Sequence, residues 1–310
     1  MRGPTVAVHG ARWGDGLRAG LQATIPEVRF VLAGTPEAES AEVLCTLVDE
    51  PTAIKTACGP GVRWIHVLGA GVDGFPSEVA RERLLTCSRG AAAPAIAEFV
   101  LGAMLAFEKH IPEVWLTEPP EQWNVADLGG LSGKRLGLVG IGAIGCEVAR
   151  RALAFDIEVT ALRRRPVPAP IPGVDVVADL RTLVSDADHV VVAAPATPAT
   201  HHLFDAETFA AMKPTAHLVN VARGTLVDQT ALLSALDGGN LALATLDATE
   251  PEPLPAGHAL YRHPRVRLSP HVSWSSPGTA RRTMACFAEN LERYRAQEPL
   301  QGVVDREAGY

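Results

Sequence analysis

Three loop-like stretches each carry one ionisable side chain: Arg223 in NVARGTLVD (220–228), Glu252 in LDATEPEPLP (246–255) and His271 in LSPHVSW (268–274). Together they have the chemistry of a carbonyl reduction. A fixed guanidinium polarises a carbonyl oxygen and holds a carboxylate. An imidazole titrates near neutral pH and can deliver the proton that accompanies hydride transfer. A neighbouring carboxylate favours the imidazolium. Taken singly, a loop histidine or glutamate is more often simply solvated. The trio gains weight only if a fold brings the three loops to one crevice.

The elements before these loops supply that fold. Short apolar runs alternate with helix-length segments, first at Thr5–Val8, Val28–Leu32, Val43–Leu47, Arg63–Leu68 and Leu84–Cys87. A second series follows at Leu136–Val139, Glu158–Leu162, Val174–Val177, His189–Ala193, His217–Val221, Leu241–Thr245 and Val266–Leu268. Strand–helix alternation implies parallel sheets covered by helices on both faces. Two series predict an α/β protein of two doubly wound parallel-sheet domains. Arg223, Glu252 and His271 each fall at or just after a strand's C-terminal end, the edge where such sheets bind ligands.

Between the series, Ile96, Val100, Met104 and Phe107 recur at helical spacing and predict a helix from Ala92 to His110. The last helix, about Thr279 to Gln297, precedes a tail, PLQGVVD, that reads as a return to the first domain. The expected division is therefore a discontinuous substrate domain, 1–90 with 284–310, and an inserted dinucleotide-binding domain, 91–283.

KRLGLVGIGAIGCEVARRAL places Gly140, Gly142 and Gly145 in GxGxxG spacing between an apolar strand and an amphipathic helix. Gly140 permits the tight turn, Gly142 lets a pyrophosphate approach, and Gly145 lets helix and strand pack closely. The phosphates then meet free N–H groups at a helix N-terminus, alongside Ala143 and Ile144. About 20 residues beyond such a turn, the next strand usually ends in an acid that bonds the ribose of NAD. Here it ends in Arg163, Arg164 and Arg165. A carboxylate repels a 2′-phosphate and a guanidinium grips it. NADP(H) is the expected cofactor, with NAD(H) as the lesser alternative.

Bulk properties fit an enzyme. The 310 residues carry net charge −7 without a long like-charge block, giving no support for binding nucleic acid or an anionic membrane. No apolar stretch reaches the roughly 18 residues of a span, and MRGPTVAVHG lacks a signal-peptide pattern. Five scattered cysteines with no CxxC pair read as reduced fillers, so a cytoplasmic protein with no bound metal is expected.

Taken in order, LGAGVDGF (68–75), AIAEFVLGAML (95–105), LSGKRLGLVGIGAIG (131–145), PATPATHHLF (195–204), VNVARGTLVD (219–228), EPLP (252–255) and SPHVSW (269–274) resemble the D-isomer-specific 2-hydroxyacid dehydrogenases. The likeness is greatest to the NADPH-dependent glyoxylate/hydroxypyruvate reductases. It implies a flavodoxin-like substrate domain and an inserted Rossmann domain, reduction of a small 2-oxo acid, and a homodimer built on the Ala92–His110 helix.

The resemblance also implies roles. Arg223 binds the substrate's carboxylate and keto oxygen, His271 is the acid/base, and Glu252 is its partner. Ala70 and Gly71 hold the substrate carboxylate through backbone N–H groups, which implies cleft closure against Arg223. Asp247 contacts the nicotinamide carboxamide, and Pro195, Thr200, Val221 and Ala222 line the cofactor pocket. The usual DVF is here Asp247–Ala248–Thr249, and Val272, Ser273 and Trp274 follow the histidine. Trp274 either walls the substrate site or packs at a hinge, while His201 and His202 read as structural. Two other activities fit the same motifs: a dinucleotide-sensing, corepressor-like binding protein, and a dehydrogenase of phosphite.

Overall fold

The computed structural model describes residues 4–10, 14–163, 167–305 and 309. It divides into two units, Met1–Ala92 with Ser276–Tyr310, and Ala93–Ser275. The second junction thus falls at 275/276 and not at 283/284, because the final helix begins at Pro277 and belongs whole to the first unit. A junction at 284 would cut that helix in its second turn.

In the first unit, β1 (Thr5–His9), α1 (Gly14–Thr24), β2 (Arg29–Leu32), β3 (Val43–Thr46), α2 (Pro51–Ala57), β4 (Trp64–Val67), α3 (Ser77–Ala80) and β5 (Leu84–Cys87) build a parallel sheet of order β2-β1-β3-β4-β5. This is the flavodoxin-like winding. The tail returns to it as expected: Cys87 N donates to Gly302 O, Val304 N donates to Leu85 O, and Thr86 and Val303 form an antiparallel bridge.

In the second unit, α4 (Ala93–Glu108) leads into β6 (Arg135–Val139), α5 (Ala143–Leu153), β7 (Glu158–Leu162), β8 (Val174–Val177), α6 (Leu180–Asp186) and β9 (His189–Val192). Then come α7 (Ala206–Ala211), β10 (His217–Asn220), α8 (Gln229–Asp237), β11 (Leu243–Leu246) and β12 (Val266–Leu268); α9 (Pro277–Ala296) closes the first unit. The seven-stranded sheet runs β12-β11-β10-β9-β6-β7-β8, all parallel, and its winding reverses between β6 and β9. Val190, Val191 and Val192 are fully buried, as an interior parallel strand covered on both faces requires. No described helix is long and apolar enough to cross a membrane.

Each unit also buries an imidazole. His66 in β4 bonds Thr86 Oγ1 at 2.7 Å and Ser88 Oγ at 3.0 Å, and burial pushes its pKa down to about 3. His217 in β10 meets Thr245 Oγ1 at 2.9 Å and His189 Nδ1 at 3.3 Å. Burial, and then the charge of His189, hold His217 well below the usual histidine range. His189 in turn bonds Glu108 Oε1 at 3.0 Å, tying the end of α4 to the sheet.

The consequence is acid sensitivity. As pH falls below about 6.5, the unfolded chain protonates His66 and His217 and the folded chain does not. Unfolding is therefore increasingly favoured, and for His66 this continues until the pH reaches its folded value of about 3. From pH 7 to 5, His66 alone should cost about 2 kcal/mol, at roughly 1.4 kcal/mol per pH unit. Urea melts over that interval should show a falling midpoint; a flat one would contradict the buried neutral state.

Candidate active site

At the winding reversal the glycine turn leaves β6. Gly140 has φ +102°, and a Cβ there would sit 2.9 Å from Ala193 O and Ala194 N. A side chain would thus be strained by the backbone and blocked by the neighbouring loop. A Cβ on Gly145 would overlap the carbonyl oxygen of Gly140, so glycine is what lets α5 start against the turn. Gly142, the N-cap of α5, faces open space, with no atom within 4 Å of a Cβ placed there. Ala143 and Ile144 form the first turn of α5. An open approach to a helix N-terminus, bounded by close-packed glycines, fits a dinucleotide pyrophosphate.

β10 delivers the guanidinium. Fully buried Asn220 shapes the turn: its Oδ1 accepts from Ala222 N at 3.0 Å and its Nδ2 donates to Arg223 O at 2.9 Å. Val221 and Ala222 are buried behind it. Arg223 is extended (φ −140°, ψ 152°), and its Nη1 donates to Ala222 O at 2.7 Å. The next residue, Gly224, lies so close to the 249–250 backbone that a Cβ would overlap the carbonyl group of Thr249. The loop carrying Glu252 is therefore seated directly against the residue that follows Arg223.

The dyad is formed. His271 Nδ1 and Glu252 Oε2 are 2.9 Å apart, each side chain about 40% exposed. With Nδ1 engaged by the carboxylate, the ring's orientation is fixed and Nε2 is its opposite edge. Glu252 is itself held, accepting from Thr249 N at 3.1 Å through Oε1. Glu252, His271, Thr249 and Ser269 contribute to the wall of a cavity of about 640 Å³.

Asp247 is only 2% exposed, and three groups of the histidine loop donate to its carboxylate. Ser269 Oγ lies at 2.6 Å, Val272 N at 2.9 Å and Ser273 N at 2.9 Å. Its position beneath that loop makes it the group that holds His271 in place. Trp274, half exposed, donates from Nε1 to His271 O at 2.7 Å, which ties the indole to the same loop.

The other expected site residues fall as follows. Ala70 is exposed and Gly71 half-buried in the loop after β4, in the first unit. Arg163 follows β7 and donates from Nη1 to Pro168 O at 2.6 Å. Arg164 and Arg165 lie outside the described residues. Thr200 shapes its own loop, its Oγ1 donating to Pro195 O at 2.8 Å and accepting from Thr197 N at 2.8 Å. Sequence reasoning passed over Asn220, Gly224 and Ser269, although all three lie in the quoted stretches, and marked Thr249 only as a departure from the usual DVF.

Comparison with known proteins adds to this geometry. The family described as D-isomer specific 2-hydroxyacid dehydrogenase, NAD binding domain, matches residues 101–273. The chain is 34% identical over 276 residues to a glyoxylate reductase of Thermofilum pendens, covering 86% of this chain and 81% of that protein. It is 34% identical over 259 residues to a glyoxylate/hydroxypyruvate reductase B of Escherichia fergusonii, covering 80% of this chain and 78% of that one. Among solved structures, a D-isomer specific 2-hydroxyacid dehydrogenase from Xanthobacter autotrophicus Py2, in complex with NADPH and MES, superposes with a TM-score of 0.85 at 27% identity, covering 99% and 100% of the two chains.

Proposed function

The chain belongs to the D-isomer-specific 2-hydroxyacid dehydrogenase family, and we propose that it reduces a small 2-oxo acid of the glyoxylate or hydroxypyruvate class to the 2-hydroxy acid with NADPH. The observation that carries this reading is the 2.9 Å contact between His271 and Glu252, formed on the loop seated against Gly224, next to Arg223.

Bound at the glycine turn, the nicotinamide cofactor supplies hydride. Arg223 holds the substrate carboxylate and draws electron density toward the keto oxygen. His271 gives that oxygen its proton from Nε2 as the carbonyl carbon is reduced. Glu252 fixes the ring's orientation and offsets the positive charge the ring carries before transfer. Asp247 keeps the histidine loop in register, and its carboxylate would be the group to accept from the carboxamide of a bound nicotinamide. Trp274, tied to the histidine loop, walls the substrate side. A homodimer belongs to the same reading: Phe99, Gly102, Ala103 and Ala106 of α4 line an apolar groove of about 620 Å³.

The direct test is initial-rate oxidation of NADPH with glyoxylate, hydroxypyruvate and phenylpyruvate. No turnover with any of them overturns the assignment.

NADPH preference is assigned to Arg163 with Arg164 and Arg165. Arg163→Asp, combined with Arg164→Gln, should lower the ratio of kcat/KM for NADPH over NADH by about one to two orders of magnitude, roughly 1.4 kcal/mol per tenfold. An unchanged ratio would show that these guanidinium groups do not read the 2′-phosphate.

A further inference from the structure

We infer that His201, His202 and Glu250 form a surface site for a divalent transition-metal ion, at the base of the loop that carries Glu252. Each of the three exposed residues offers a ligand atom, and these atoms lie within 4.8 Å of one another. The sequence hides the site, because Glu250 lies 48 positions after His202 and an adjacent histidine pair has no ligand spacing of its own.

One short segment holds all three residues. His202 N donates to Thr225 O at 2.8 Å, which pins the histidine turn to residues just after Gly224. Glu250 is held four residues further on: its N–H donates to Gln229 Oε1 at 3.3 Å, and Gln229 Nε2 donates back to Glu250 O. The absence of a side chain at Gly224 lets Thr249 and Glu250 approach this segment closely. His202 adopts a left-handed backbone, φ 48°, where consecutive side chains need not alternate in direction. The two rings accordingly stack, with centroids 3.9 Å apart and planes at 24°.

Donor chemistry selects the ion. Two imidazole nitrogens and one carboxylate oxygen suit Zn²⁺, Ni²⁺ or Cu²⁺, whereas Mg²⁺ and Ca²⁺ prefer oxygen-only sets. Because an imidazole binds metal in its ring plane, the two exposed rings would leave their stack to converge on the ion, and water would complete the coordination. The bound ion would link the 201–202 turn to the loop bearing Glu252, two residues beyond Glu250. No step of the proposed reaction passes through it.

The test uses the full chain and the metal salts alone. Titration calorimetry with ZnCl₂ in a non-chelating buffer should give one saturable site that excess MgCl₂ does not displace. Loss of an outer-shell partner costs roughly 10- to 100-fold in metal affinity. Loss of a direct ligand in His201→Gln, His202→Gln or Glu250→Gln should cost at least about tenfold by the same scale. All three side chains are exposed, so the variants should keep the wild-type circular dichroism spectrum. Zn²⁺ should also raise the Tm of the wild type more than that of the His201→Gln/His202→Gln variant, because the ion binds the native state. Absence of a saturable site, or a site of equal affinity in the double variant, overturns the inference. Turnover is not needed as a readout, so failure here is separable from failure of the proposed activity.

Discussion

Removing the His271 imidazole is expected to lower kcat for 2-oxo acid reduction by about 10²- to 10⁴-fold, the usual contribution of a positioned general acid. NADPH affinity should not change. The loop does not depend on the ring, because Asp247 holds it through Ser269 Oγ and the backbone N–H groups of Val272 and Ser273. Trp274 grips the backbone carbonyl of His271, which any replacement keeps. The choice of replacement matters, since His271 has φ 52°, a left-handed conformation that asparagine tolerates better than alanine. His271→Asn and His271→Ala should therefore lose the same activity, with alanine the less stable of the two. NADPH fluorescence titration beside single-turnover kinetics separates the outcomes. A kcat within tenfold of wild type would remove His271 from the chemistry, and lost NADPH binding would make its role structural.

The sequence exposed this dyad through its strand context. The Glu252 loop follows β11, an interior strand, and the His271 loop follows β12 at the sheet's edge; the apolar runs of β10, β11 and β12 located their ends to within two residues. Gly140 and Gly145 were legible too, since a Cβ at either would strike backbone atoms, while Gly142 is marked by its place in the motif alone. Asp247 was recognisable as a site residue, but its three donors were not, because two of them are backbone N–H groups with no side-chain signature.

Other features were hidden by distance along the chain. Glu108 reads in sequence as a polar end to an apolar helix. In the fold it is 4% exposed and paired with His189 and Lys134. Burial alone would raise its pKa, but the hydrogen bond and charge of His189, with Lys134, outweigh burial and hold it below the ordinary carboxylate range. The 275/276 junction was missed for a simpler reason. The expected division already gave 284–310 to the first unit, but it cut through α9; that helix is continuous from Pro277, so its first turns go with the rest.

Gly224→Ala should show how much of the site rests on one missing methyl group. The added Cβ would overlap the Thr249 carbonyl and lie 2.5 Å from Glu250 N. Those are backbone atoms, which cannot swing aside as a side-chain tip can. The 249–253 loop must move, and Glu252 moves with it, because Thr249 N holds Glu252 Oε1 and Thr249 Oγ1 holds Pro251 O, both at 3.1 Å. A displacement of about 1 Å in a catalytic group typically costs about 10²-fold in rate, and overpacking of this kind costs about 1–3 kcal/mol of stability. The expected variant is folded, binds NADPH at the remote glycine turn, melts earlier and has kcat/KM reduced about a hundredfold. Gly20→Ala in α1 is the matched control, since its Cβ meets nothing within 4 Å and alanine favours the helix. If Gly224→Ala turns over at the wild-type rate, the close approach of the two loops does not position the dyad. If it also loses NADPH binding, the damage extends beyond the 249–253 loop, and the rate loss cannot be assigned to Glu252.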